Sequence, residues 1–129
     1  KQLWRTYQSK VRESIGLSAD GKRLYAKTMQ DSIVCFAARN DRPEQLWATN
    51  AGFGYEHARV MLAEKDSVCF SSTKNGLIIA IDGKTGRLLW IHKVGNTLIN
   101  TIVPISSREL YFTNEDGFVG RLEVDSSIR

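Results

Sequence analysis

Few side chains in this 129-residue chain have the types and spacing that catalysis or metal binding needs. Cys35 and Cys69 both lie inside apolar runs, where a thiol usually behaves as a small buried side chain. Neither belongs to a CxxC pair or has a histidine beside it, so we expect no metal site, no thiol nucleophile and no disulfide. No Ser/His/Asp order, HExxH motif or phosphate-binding glycine loop is present. The sequence therefore predicts no catalytic residue, no metal and no cofactor.

The polar side chains best spaced to form a binding site are related by an internal repeat. The chain's three tryptophans are 43 residues apart, and each ends a similar tripeptide, namely Gln2-Leu3-Trp4, Gln45-Leu46-Trp47 and Leu88-Leu89-Trp90. A period of about 40 to 50 residues is typical of four-stranded propeller blades or of helix pairs. The same period places Ser14, His57 and Asn100 at one equivalent position, with Glu13 and Glu56 just before the first two.

In a propeller, that position would lie where the first strand of each blade begins, at the central axis. Polar groups there could bind a small ligand, an ion or a partner's side chain, or they could simply cap strand ends and bind channel water. The neighbouring loop Gly52-Phe53-Gly54-Tyr55, with two aromatic residues, is a second candidate contact surface. The predicted ligand- or partner-binding residues are Glu13, Ser14, Tyr55, Glu56, His57 and Asn100.

The elements that must position these residues are short strands. Glycines and Asx turns interrupt every run that is long enough for a helix, and the apolar runs are about five residues long at spacings of about 8 to 12. Labelled A to D within each repeat, the strands read D-ABCD-ABCD-ABC, an all-β order. We predict strands at residues 2–6, 15–18, 23–28, 33–38, 45–49, 59–63, 67–72, 77–81, 87–92, 100–105, 109–113 and 118–124, with turns such as Glu64-Lys65-Asp66 between them.

Composition narrows the class of protein. The chain is 42% apolar and 25% charged, which is typical of a globular protein. The net charge of +4 comes from 18 basic residues scattered among 14 acidic ones, so we expect no nucleic-acid partner. No run approaches the roughly 18 apolar residues of a membrane span. Because the chain begins at Lys1 without an initiator methionine or a signal segment, we expect a carboxy-terminal fragment of a larger protein.

The turn before the third tryptophan carries the most specific pattern in the chain, Ala80-x-Asp82-x-x-Thr85-Gly86-Arg87-x-x-Trp90. It resembles the tryptophan-docking repeat A-x-D-x-x-T-G-K-x-x-W of the quinoprotein-dehydrogenase-like, or PQQ-like, β-propeller family. Only Arg87 departs from that pattern. The resemblance implies that the motif joins strands C and D, and that Trp90 packs flat against the motif of the neighbouring blade.

The first repeat matches the family pattern only in part. Ala37 and Trp47 hold the expected places, but Arg39, Arg42 and Pro43 stand where Asp, Thr and Gly are expected. We therefore expect this turn to differ from the one before Trp90. The repeats are predicted at residues 5–47, 48–90 and 91–129, with residues 1–4, which include Trp4, as the outer strand of a preceding or partner blade.

The resemblance leaves several functions open. Catalytic members of the family bind the quinone with calcium and, in many, a disulfide between adjacent cysteines, which this chain lacks. We therefore expect a non-catalytic protein-interaction or ligand-sensing module of a larger bacterial protein. Part of a PQQ-dependent quinoprotein dehydrogenase is one alternative. A carbohydrate- or peptide-binding propeller, with Tyr55, Glu56 and His57 as contacts, is another. Family members are commonly exported, so the resemblance implies the periplasm.

Three blades cannot close a ring, and the open ends need cover. Strands about 4.8 Å apart and about 17 Å long give each blade a face of roughly 300 Å², as large as the biggest patch that monomers usually expose. We expect such a face at both ends of the chain. The simplest cover is a homodimer that forms a six-bladed ring, in which residues 2–6 of one copy pair with residues 118–124 of the other.

Overall fold

The computed structural model of the chain describes residues 1–5, 11–28, 32–39, 41–50 and 62–124. Within these ranges there are eleven strands and no helix. The strands are β1 (Val11–Leu17), β2 (Arg23–Thr28), β3 (Ser32–Ala37), β4 (Glu44–Asn50), β5 (Leu62–Lys65), β6 (Val68–Ser72), β7 (Leu77–Asp82), β8 (Leu88–Lys93), β9 (Ile99–Ser106), β10 (Glu109–Asn114) and β11 (Val119–Glu123).

The strands form three separate antiparallel sheets that follow chain order. Blade 1 has the order β1-β2-β3-β4, blade 2 the order β5-β6-β7-β8, and blade 3 the order β9-β10-β11. Each strand pairs with its sequence neighbour, so every blade is a meander. Blade 3 has no fourth strand among the described residues. The all-β propeller fold, with about three blades in an unclosed ring, is therefore confirmed.

The burial of each strand follows its place in the blade. The middle strands β3 and β7 bury four consecutive residues, and β6 buries all five. Such a strand is covered on both faces, so its sequence is continuously apolar instead of alternating. The outer strands β4 and β8 are mostly exposed, and the one fully buried residue in each is a tryptophan, Trp47 or Trp90. These tryptophans therefore attach the outer strands to the core.

The core lies between the blades. Blades 1 and 2 share a buried cluster of Tyr25, Ile33, Cys35, Trp47, Leu62, Cys69, Ile79 and Ile81. Blades 2 and 3 share a second cluster that includes Phe70, Ile78, Trp90, Ile102, Leu110 and Leu122. Because the sheets cover one another face to face, the stability of each blade depends on its neighbour.

Two local predictions were wrong. Residues 2–5 of the predicted strand 2–6 are described and form no strand, because they make no backbone ladder with a described strand. Residues 64–66 are not the turn between β5 and β6. Asp66 and Ser67 form it, with φ values of 53° and 64°, and Lys65 pairs directly with Val68. Two central residues with positive φ make a tight hairpin turn whose twist matches the strands, so Glu64 stays inside β5.

Candidate functional site

The outer strand of blade 1 is held to blade 2 by the side chain of Trp47. Its indole Nε1 donates a hydrogen bond to the carbonyl oxygen of Gly83, 2.9 Å away in the β7–β8 turn. A Cβ atom added at Gly86 would lie 2.7 Å from the Trp47 ring, so only glycine allows this contact. The hydroxyl of Thr49 donates to the carbonyl oxygen of Gly86. The turn that carries the family pattern therefore contacts the tryptophan of the preceding blade.

The first tryptophan repeats this contact at the other end of the chain. Trp4 Nε1 donates to the carbonyl oxygen of Arg39 at 2.5 Å, in the turn that follows β3. One repeat later, the acceptor in the corresponding turn is Gly83. Residues 1–5 thus contact blade 1 through Trp4, in the same way that β4 contacts blade 2 through Trp47. They do so although they form no strand.

The residue that the 43-residue period makes equivalent to Gly83 is number 126, so the corresponding contact of Trp90 lies outside the described residues. Trp90 is buried and packs on Phe70, with ring centroids 5.8 Å apart. The packing of Trp90 on a neighbouring motif therefore stays a prediction.

A buried polar cluster joins blade 1 to the first strand of blade 2. The carboxylate of Glu64, whose side chain is 3% exposed, accepts hydrogen bonds from the Tyr25 hydroxyl at 3.0 Å and from Arg23 Nη2 at 3.1 Å. Its other oxygen accepts from the backbone N–H of Ala19 at 2.8 Å. Burial raises the pKa of the Tyr25 hydroxyl, and the hydrogen bond to Tyr25 raises the pKa of Arg23. At neutral pH the cluster is therefore a neutral phenol held by an ion pair.

The two thiols lie in the same interface and are free. Burial raises the pKa of Cys35 to about 11 and raises that of Cys69 further. Because the thiolate is the nucleophile and the metal ligand, neither thiol is activated at neutral pH. Among the described residues, no three His, Cys, Asp or Glu side chains are grouped closely enough to bind a metal ion.

The two ends of the chain differ in exposure. On the outward face of blade 3, Val103 is 54%, Tyr111 47% and Val119 78% exposed. On the opposite face of blade 1, a cluster that includes Val34 and Phe36 is at most 7% exposed, whereas Leu17, which pairs with Leu24 on that face, is 58% exposed. The face of blade 1 is therefore covered in part and that of blade 3 less so, and Trp4 also makes its contact at blade 1.

The predicted axial site is not tested. Tyr55, Glu56 and His57 lie outside the described residues, as does the loop that contains them. Glu13 and Ser14 lie in β1, and only their backbone is described. Asn100 lies near the start of β9 and is exposed. The axial site stays a prediction.

A cavity of about 230 Å³ lies between blades 2 and 3, beside the second buried tryptophan. Its described lining contains both apolar and polar side chains. The described lining residues are Val68, Asp82, Leu89, Trp90, Ser107 and Arg108. Sequence reasoning missed this cavity, because only the packing of one repeat on the next creates it. In the described part of the chain, no helix is long and apolar enough to cross a membrane.

Antiparallel sheets of four strands in blades 1 and 2 and three in blade 3, packed face to face in chain order, define the blades of a β-propeller. A buried tryptophan lies in the outer strand of blades 1 and 2. The chain belongs to the PQQ-like repeat family, since the family profile described as "Outer membrane protein assembly factor BamB" matches residues 1–126. This confirms the resemblance inferred from the residues between Ala80 and Trp90.

A solved structure, the crystal structure of BamB from Moraxella catarrhalis, has the same fold. It superposes with a TM-score of 0.74 at 15% sequence identity, and the match covers 94% of this chain and 36% of that one. The chain thus spans about a third of the length of the structure that it matches. At this identity the likeness shows the fold alone. A comparison with curated proteins found no significant match.

Proposed function

We propose that the chain is a non-catalytic protein-interaction module whose open third blade binds the first blade of a second copy. The observation that carries the proposal is the contact between Trp4 and Arg39, which repeats the contact of Trp47 with Gly83. Residues 1–5 lie against blade 1 as the outer strand of a preceding blade would. Blade 3 is the blade that lacks such a strand among the described residues.

The chemistry of the two ends suits this association. The exposed face of blade 3 presents Val103, Tyr111 and Val119, which would be buried against a neighbouring blade. Within the described part of the chain, the outer edge of β11 pairs with no other strand, and such an edge can bind an added strand, a common mode of protein recognition. Residues 1–4 supply that strand in the proposal, and Lys1 beside them complements the exposed Glu123 of β11. Two copies give six blades, within the roughly 4 to 8 of known propellers.

The family supports the same class of function. Its description names an assembly factor of outer membrane proteins. We extend protein interaction and an extracytoplasmic location to this chain on that basis. The buried, protonated thiols support a non-catalytic role, since neither is poised as a nucleophile.

The experiment blocks each end separately and then combines the two blocked chains. Trp4→Ala damages the amino-terminal end, and Tyr111→Lys places a charge on the face of blade 3. Each variant alone is expected to be monomeric in sedimentation velocity, because both contacts of the ring contain one damaged side. An equimolar mixture is expected to form a heterodimer, because one contact then has two intact sides.

Leu88→Lys is the matched control, since Leu88 is 40% exposed on β8 of blade 2, a blade that lies at neither proposed contact. It should sediment like the unmodified chain, and circular dichroism should show that all variants are folded. The proposal fails if either blocked variant alone dimerises as well as the unmodified chain. It also fails if the mixture contains only monomers.

A further inference from the structure

The 43-residue period allows a comparison of the two interfaces between blades, position by position. The cavity between blades 2 and 3 is lined by Val68, Trp90 and Ser107. The corresponding residues between blades 1 and 2 are Tyr25, Trp47 and Glu64. The tryptophan is thus retained, whereas a tyrosine becomes a valine and a glutamate becomes a serine.

In the first interface the corresponding space is filled by the chain itself. The ring of Tyr25 lies against Trp47, with centroids 6.0 Å apart and an angle of 42° between the planes. Its hydroxyl donates to Glu64 at 3.0 Å and accepts from Arg23 Nε at 3.1 Å. Tyr25 is 1% exposed. The structure therefore shows which group fits beside the buried tryptophan, namely a phenol held by a carboxylate and a guanidinium.

In the second interface the aromatic partner of the tryptophan occupies a different position in the strand. Phe70, two residues further along the strand than Val68, packs on Trp90 at 5.8 Å. The space at the turn end of the strand is left to Val68 and Ser107, whose side chains are too small to fill it. The resulting cavity of about 230 Å³ exceeds the roughly 150 Å³ of an engineered apolar cavity that binds benzene.

The lining of the cavity includes the two kinds of charged group that hold the Tyr25 hydroxyl, a carboxylate and a guanidinium. Asp82 supplies a carboxylate and Arg108 a guanidinium, and both line the cavity. One oxygen of Asp82 accepts the backbone N–H of Lys84 at 2.9 Å. Within the described ranges, neither charged group forms an ion pair. Both groups can therefore hydrogen-bond to a hydroxyl in the cavity.

We propose that this cavity is a binding site for a small para-substituted phenol, the chemistry of a tyrosine side chain. The ring lies beside Trp90 in the place that Tyr25 takes beside Trp47. The hydroxyl donates to Asp82 and accepts from Arg108. This site is separate from the outward face of blade 3, so its test does not depend on the oligomeric state.

The test follows the indole N–H resonances of the full chain by NMR during titration with p-cresol. The Trp90 resonance is expected to shift saturably in the millimolar range, which is reasonable for so few ligand atoms. The Trp47 resonance is the internal control and should not move, because Tyr25 fills its interface. Toluene, which lacks the hydroxyl, should bind about fivefold more weakly or worse.

Two variants test the apolar and the charged lining residues separately. Val68→Tyr introduces the residue that the first interface has at this position, and it should abolish the shift of the Trp90 resonance that p-cresol causes. Arg108→Gln leaves the apolar lining residues unchanged, so the chain stays folded even if Val68→Tyr does not. It should weaken the binding of p-cresol about fivefold. N-acetyl-L-tyrosinamide tests the source of the phenol. If it binds like p-cresol, a tyrosine side chain fits the site, and if only p-cresol binds, the site takes free phenols.

Three results would overturn the proposal. The first is a Trp90 resonance that p-cresol does not shift, as expected if the chain after Val124 fills the cavity. The second is an equal shift of Trp47 and Trp90, which indicates nonspecific binding. The third is that toluene binds as tightly as p-cresol and that Arg108→Gln has no effect on binding. Both observations together would show that the charged residues do not contact the hydroxyl.

Discussion

The contact of Trp47 with the β7–β8 turn is possible because Gly86 has no Cβ atom. Gly86 has a φ of +80°, and a Cβ atom there would lie 2.7 and 2.8 Å from two carbons of the Trp47 ring. The position thus combines a left-handed backbone with a close approach of a ring, and either condition alone favours glycine. The resemblance to the family pattern gave Gly86 a structural role, and the contact supplies its physical reason.

We predict that Gly86→Ala lowers the free energy of unfolding by about 2 to 4 kcal/mol, the sum of left-handed strain and overpacking against the ring. Gly117→Ala is the matched control, because Gly117 has a φ of +87° and open space around it. The control should cost only about 1 to 2 kcal/mol. Urea denaturation measures both values, and equal losses for the two variants would show that Trp47 does not constrain Gly86.

The sequence could predict the residues of the turn but not those of the polar cluster beside it. Asp82, Thr85 and Gly86 belong to one local pattern that can be compared with a family. Glu64 appeared to belong to a solvent-exposed turn, because charged residues usually do. Its partner Tyr25 is 39 residues away, and only the packing of blade 1 on blade 2 brings them together. A single sequence contains no signal for that pairing.

The contact between blades 1 and 2 is held by more than apolar packing. Glu64, in the first strand of blade 2, accepts hydrogen bonds from three residues of blade 1, namely Arg23, Tyr25 and Ala19. Removing one partner of a buried ion pair leaves an uncompensated charge, whereas exposed pairs contribute little because water screens them. We therefore expect the loss of Glu64 to reduce the stability of the chain more than the loss of an exposed carboxylate would.

We predict that Glu64→Ala destabilises the chain by about 3 to 5 kcal/mol, because the Arg23 guanidinium, 12% exposed, loses its buried carboxylate and keeps only the half-exposed Asp20 at 4.0 Å. Glu109→Ala is the control at an exposed ion pair, where Arg121 is 51% exposed, and it should cost about 1 kcal/mol or less. Thermal unfolding followed by circular dichroism compares them. A loss for Glu64→Ala no larger than that for Glu109→Ala would contradict a structural role for the cluster.

At the level of elements, the turn residues and apolar runs predicted the strands of all three blades, because four short strands per repeat have clear local signals. The prediction failed where a strand depends on a distant partner. Residues 2–6 have the composition of a strand, but a strand forms only when another edge supplies hydrogen bonds. In the described chain no such edge lies beside residues 1–5.

At the level of the whole molecule, the two ends of the chain differ in how far their faces are covered. On the face of blade 1, Val34 and Phe36 are buried and only Leu17 is strongly exposed, whereas the face of blade 3 exposes Val103, Tyr111 and Val119. Exposed apolar side chains beside a strand edge that pairs with no described strand are typical of an interaction site. The sequence predicted the three blades, but it could not predict this asymmetry, because it depends on how the chain packs around its first blade.

The mass of the chain in solution tests the association most directly. Light scattering across a concentration series is expected to give twice 14.5 kDa at high concentration, with dissociation towards 14.5 kDa on dilution. The proposed ring contains two identical contacts, so no larger species should form. A mass of 14.5 kDa at every concentration would contradict the account, because the face of blade 3 would then be stable in water without a partner.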